Sequence, residues 1–127
     1  MIKEDYVSFN VAQLLKEKGF DEYCLKNYWS SDKELHNWKW ELSYNRNSDG
    51  NCNTKDCAAP TLQMAMKWLR EVHRIDIIIE ISDPSVKDRK YYCIIWDGNN
   101  NSYILDLFNT YEEAVEAALK YSLENLI

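Results

Sequence analysis

The sequence predicts an α+β protein, with helices packed on a mainly antiparallel sheet in the order α-β-β-α-β-β-β-α. Three observations lead there. Residues 58–81, AAPTLQMAMKWLREVHRIDIIIEI, run directly from helical spacing into strict alternation. Two more strand-like stretches follow across short polar turns, and short links between successive strands imply antiparallel pairing. A capped, apolar-striped segment then closes the chain from Thr110 onward. With three Gly and two Pro in 127 residues, the chain has the composition of one globular domain rather than of linkers or loops.

Taken in order, Ser8 is placed to cap a first helix of about ten residues whose apolar side is Val11, Ala12, Leu14 and Leu15. Gly19 suits the left-handed residue just past its end, and Phe20 is expected to close back onto Leu15. Residues 23–29 read as an extended segment and Ser30 to Lys33 as a polar turn. In W-K-W-E-L-S-Y, Trp38, Trp40, Leu42 and Tyr44 alternate with Lys39, Glu41 and Ser43, the pattern of a half-buried strand. Residues 45–57, NRNSDGNCNTKDC, are polar and read as a flexible surface loop.

Pro60 and Thr61 open the central helix. Leu62, Ala65, Met66, Leu69 and Val72 make its apolar stripe, widened by Met64 and Trp68. Ile75, Ile77, Ile79 and Ile81 then point one way, and Asp76, Ile78 and Glu80 the other. Asp83 and Pro84 turn the chain, residues 91–97 form the next strand, and Gly98 to Asn101 form a second turn. In the last strand Tyr103, Leu105 and Leu107 alternate with Ile104, Asp106 and Phe108. Thr110 and Glu113 have the spacing of a capping box, with Tyr111, Ala114, Val115, Ala118, Leu119, Ser122 and Leu126 as the helix's inner side.

The charge excludes more than it selects. A net charge of −6, from 21 acidic and 15 basic residues, argues against direct nucleic-acid binding. The densest basic cluster, Lys87 to Lys90, is interrupted by Asp88. An acidic chain suits the basic surface of a protein partner better. The first ten residues lack the apolar run of a signal peptide, and no stretch approaches the roughly 20 apolar residues that span a bilayer. The expected compartment is therefore the cytoplasm, where Cys24, Cys52, Cys57 and Cys93 stay reduced.

Several constellations bear on chemistry. Cys52 and Cys57, spaced C-x4-C, together with Cys24, His36 or His73, could supply zinc ligands. The competing reading is two loop thiols plus a buried Cys24 and Cys93. Asp49, Asn51 and Asn53 begin like a calcium loop, but Thr54 and Pro60 stand where Gly and Glu are required. Asp76 and Glu80 lie about 13 Å apart along one strand, beyond the roughly 5–9.5 Å of a glycosidase acid/base pair. They read instead as solvent-face charges opposite Lys or Arg of a neighbouring strand. His73 with Asp76 at the helix-to-strand junction is the one candidate for an enzyme site, and no nucleophile or phosphate-cradle motif accompanies it. Trp29, Trp38, Trp40 and Tyr44 form either a stacking platform or part of a core under a helix. No cofactor is expected.

Two segments carry a resemblance: A-P-T-L-Q-x-A-x-K-W-L-R-E-x at Ala59 to Val72, and T-Y-E-E-A-V-E-A-A-L at Thr110 to Leu119. With the opening helix leading to K-E-K-G-F-D-E at Lys16 to Glu22, they resemble a family of small proteins of unassigned activity from gut anaerobes and their phages. The resemblance implies a cytoplasmic, prophage-borne accessory protein and assigns no catalytic residue. The favoured function is a non-enzymatic interaction factor, with Trp38, Trp40, Trp68, Arg70 and Glu71 as its candidate contacts. The alternatives are a small zinc-stabilised domain on Cys52, Cys57, Cys24 and His36, and an enzyme centred on His73 and Asp76.

Overall fold

The computed structural model describes residues 1–37, 46–48 and 55–127. They form three helices and two three-stranded antiparallel sheets in the order α-β-β-β-α-β-β-β-α, an α+β fold in which the strands Leu35–Asn37 and Cys57–Ala59 stand where the sequence suggests none. The chain divides into two compact units, Met1–Thr61 and Leu62–Ile127. No helix among the described residues is long and apolar enough to cross a membrane.

In the first unit, α1 (Phe9–Glu17) is bounded as its sequence dictates. The Ser8 side chain accepts the N–H of Val11 at 3.2 Å. At the other end Gly19 sits at φ 93°, in the left-handed region that a Cβ disfavours. The N–H groups of Gly19 and Phe20 return to the carbonyls of Lys16 and Leu15 at 3.1 and 2.9 Å, which is a Schellman cap. Phe20 and Leu15 are both fully buried.

The unit's sheet has the order β2-β1-β3, from β1 (Lys26–Tyr28), β2 (Leu35–Asn37) and β3 (Cys57–Ala59). β3 lies where the sequence reads the end of a loop. Its Cys57, Ala58 and Ala59 are buried under α1, and only such small residues allow a helix that close. Asn47 holds the strand from inside the polar stretch. Its Oδ1 accepts the N–H of Ala58 and its Nδ2 donates to the Phe20 carbonyl, both at 2.8 Å. The strand expected at 38–44 and most of the expected loop lie outside the described residues.

The second unit is the predicted helix, meander and helix. α2 (Leu62–His73) is followed by β4 (Asp76–Ile81), β5 (Tyr91–Trp96), β6 (Ser102–Phe108) and α3 (Tyr111–Asn125). The sheet order is β4-β5-β6, and both helices lie on one side of it. Ala114 and Ala118 let α3 approach the strands, and Val115, Leu119, Leu123, Cys93 and Ile95 fill the layer between with no exposed surface. Each fully buried Leu or Ile contributes roughly 1.5–3 kcal/mol. Rings of α3 extend the contact, with Tyr111 edge-on to Tyr91 and Tyr121 beside Tyr103.

Two details of the helices differ from expectation. In α2, Trp68 is buried whereas Val72 is 55% exposed, so the buried stripe turns from Val72 towards Trp68. At the start of α3, Thr110 Oγ1 accepts the N–H of Glu113 at 3.1 Å, as a capping box requires. The Glu113 carboxylate reaches one residue further back than expected and takes the N–H of Asn109 at 3.2 Å.

Candidate interaction surface

A strand shows alternate residues to opposite faces, so the residues turned away from α2 and α3 can be named from the register. On β4 they are Asp76, Ile78 and Glu80, on β5 Tyr92, Ile94 and Trp96, and on β6 Ser102, Ile104 and Asp106. Ile78 pairs with Ile94, and Ile94 with Ile104. A single cross-strand line of three isoleucines therefore crosses the whole sheet, about 10 Å from first to third at the usual strand spacing. Ile78 is 41% exposed and Ile104 62%. The line continues into Trp96 at one end of β5, and Leu107 stands exposed beside the register shift between β5 and β6.

Acids frame this line. Asp76 and Glu80 lie two residues either side of Ile78, and Asp106 lies two residues beyond Ile104. Their cross-strand neighbours on β5 are not the Lys or Arg that the sequence suggests: Asp76 is paired with Trp96 and Glu80 with Tyr92. Among the described residues, none of the three carboxylates makes an ion pair or hydrogen bond. An apolar centre with unneutralised carboxylates at its corners is chemically complementary to an apolar surface framed by Lys and Arg.

The residues singled out from the sequence are placed elsewhere. Trp68 is 6% exposed, packs edge-on to His73 with ring centres 4.8 Å apart, and belongs to the core rather than to a contact surface. Arg70 and Glu71 are exposed on α2, away from the open sheet face. Trp38, Trp40 and Cys52 lie outside the described residues. Among the described residues the half-buried His73 has no partner for its Nε2, while Asp76 sits at a corner of the open face, and no hydrogen bond joins the two.

Of the candidate zinc ligands, Cys24 and Cys57 are buried and lean on the Glu22 and Lys55 carbonyls. Burial pushes the Cys24 thiol up to about 12, with the Glu22 charge adding to the shift. His36 is engaged differently. Its ring stacks on Trp29 at 3.7 Å, and its Nε2 lies 2.8 Å from the Asp32 carboxylate. That carboxyl is held below its usual range, first by the Glu34 N–H and then by His36. Among the described residues no three His, Cys, Asp or Glu side chains converge on a metal-sized space.

Sequence reading missed Ile94, Ile104 and Trp96 as surface residues. The signal was present in Ile78, an apolar residue on the same strand face as two acids, and in Ile104, next but one to Asp106. The second unit is thus a three-stranded antiparallel sheet with helices on one side and Ile78, Trp96 and Ile104 exposed on the other. Comparison with known protein families, curated proteins and solved structures gives no match to the chain.

Proposed function

We propose that the chain is a non-enzymatic interaction factor that docks a protein partner on the open face of β4, β5 and β6. The observation that carries this is the Ile78–Ile94–Ile104 line, half-buried at its centre and exposed at both ends, with Asp76, Glu80 and Asp106 around it. Exposed Ile and Trp side chains forfeit about 25 cal/mol for each Å² of apolar surface left in water, and docking recovers that. The corner acids set the partner's chemistry, an apolar patch framed by Lys or Arg, because a neutral or acidic frame would leave three carboxylates facing an uncompensated surface. The reading includes a cytoplasmic setting and the prophage-borne accessory role that the resemblance implies.

The test uses the whole chain as bait beside its Ile94→Lys/Ile104→Lys variant. A protein retained by the first and lost by the second is purified and titrated against both. The expected result is one-to-one binding that weakens at least about 100-fold in the variant, the loss of two central anchors, and weakens again with added salt. Equal binding to the two chains contradicts the proposal. So does turnover of a metabolite by a chain that retains no partner. A wild-type dimer abolished by the same substitutions contradicts the basic partner and makes the occupant a second copy.

A further inference from the structure

On the face of β4, β5 and β6 turned away from α2 and α3, apolar and acidic residues follow a pattern with a direction. β5 is the central strand, and its outward residues Trp96, Ile94 and Tyr92 are all apolar or aromatic. They form a stripe along the strand, about 13 Å from first to last at roughly 3.3 Å per residue. Ile78 and Ile104 widen the stripe at its middle, through the pairs Ile78–Ile94 and Ile94–Ile104. Polar residues stand only at the corners. On β4, Asp76 is opposite Trp96 and Glu80 opposite Tyr92. On β6, Ser102 is opposite Trp96, and Asp106 lies two residues beyond Ile104.

An element laid on this face must satisfy its own backbone. The N–H and C=O groups of a sheet lie in its plane and bond to neighbouring strands, so only side chains meet the partner. An extended or irregular segment would press amide groups against Ile94 and Trp96, each without the hydrogen bond it had in water. A helix keeps those bonds inside itself. Its width fits as well: with side chains it measures about 10–12 Å, and the three strands span about 10 Å. A second sheet would spread apolar residues over the full width, onto the corner acids, and desolvate them without a cation.

Resting on the docking reading above, we propose that the partner's docking element is a single amphipathic α-helix lying along β5. Its apolar stripe meets Trp96, Ile94 and Tyr92. Lys or Arg on its two flanks meet Asp76 and Glu80 on one side and Asp106 on the other. Among the described residues these three carboxylates make no ion pair or hydrogen bond, so the helix cations displace no existing partner. Covering the stripe takes about nine residues at roughly 1.5 Å each, or about two and a half turns. α3 packs on the opposite face of the same strands, so this sheet already accepts a helix on one side.

The probes are three designed peptides of about 16 residues, long enough for four turns, titrated into the whole chain. The first carries Leu at helical spacing between two rows of Lys. The second has the same composition with Leu and Lys in strict alternation, and the third is the first with Glu in place of Lys. The first is expected to shift the δ1 methyl signals of Ile78, Ile94 and Ile104 saturably below about 1 mM while gaining helix by circular dichroism. The other two are each expected to bind at least about 10-fold more weakly in low salt. Trp96→Ala, at one end of the stripe, is expected to weaken the first peptide at least about 10-fold. An alternating peptide that binds as tightly overturns the helix, and so does the absence of a saturable shift with the first. A Glu peptide that binds as tightly overturns the cationic flanks, and affinity unchanged in Trp96→Ala overturns the placement along β5. In each case a partner that is still lost by Ile94→Lys/Ile104→Lys keeps the docking face, so the two failures are told apart.

Discussion

The two faces of the β4–β5–β6 sheet carry the same residue type to opposite ends. Ile95 is buried on the helix side, at 0% exposure, whereas Ile104 on the other side is 62% exposed. Nothing in the isoleucines differs. The helix side is closed by Ala114, Ala118, Leu119 and Leu123 of α3 and by α2, whereas the other side shows Ile78, Trp96 and Ile104 exposed beside Asp76, Glu80 and Asp106. What an apolar strand residue does is therefore decided by what the next elements of the chain bring to its face.

Substitutions on the two faces separate this contrast, and the largest effect is expected on the covered side. Leu119→Ala deletes a fully buried side chain beneath α3 and is expected to lower unfolding free energy by about 2–5 kcal/mol, read from urea unfolding. A loss below about 1 kcal/mol would mean that the helix layer is far looser than its burial implies. Next in size is the start of α3. Thr110→Ala removes the cap that accepts the Glu113 N–H and is expected to cost about 1 kcal/mol in the same assay. Smaller still, Ile104→Thr on the open face is expected to change stability by no more than about 0.5 kcal/mol while weakening partner binding. A stability loss equal to that of Leu119→Ala would show that the open face is packed.

Acid dependence gives the last and smallest effect, and it arises in the turns rather than on either face. Asp21, Asp32, Asp83 and Asp97 are all held below the usual carboxylate range. The strongest stabilisation of the carboxylate comes from the Ser48 hydroxyl for Asp21, the Glu34 N–H for Asp32, the Ser85 hydroxyl for Asp83 and the Asn101 N–H for Asp97. A carboxyl whose folded pKa is depressed contributes stability that is complete above its unfolded value, near 3.8. That contribution is lost as pH falls through the folded value. Thermal melts are thus expected to be insensitive to these groups above about pH 5 and to weaken below about pH 4. Asp97→Asn is expected to flatten the acid limb slightly, and an acid limb steeper than wild type would contradict the assignment.

Much of this architecture is legible in the sequence because local rules and tertiary packing agree. Ser8, Gly19 and Phe20 bound α1, Thr110 starts α3, and the turns at Asp83–Pro84 and Gly98 set the meander. β3 was not legible, because Cys57, Ala58 and Ala59 have no alternation to read. Their strand exists through pairing with β1 and through Asn47, ten and more residues away in the polar stretch. The candidate surface was half legible. Asp76, Ile78 and Glu80 were assigned to one face, but their neighbours Trp96, Tyr92 and Ile94 follow only from the register. Trp68 reads both as part of the apolar stripe and as a candidate contact, and its burial at 6% exposure decides for the stripe.

The isoleucine methyl groups provide the most direct test of the open face, since one residue type reports on both sides of the same strands. In the purified complex with the retained partner, the δ1 methyl signals of Ile78, Ile94 and Ile104 should shift and become protected from a soluble paramagnet. That of Ile95, on the helix side of β5, should stay as it is in the free chain. If the three open-face methyls remain as accessible in the complex as in the free chain, the open face is not the docking surface and the proposed function is wrong.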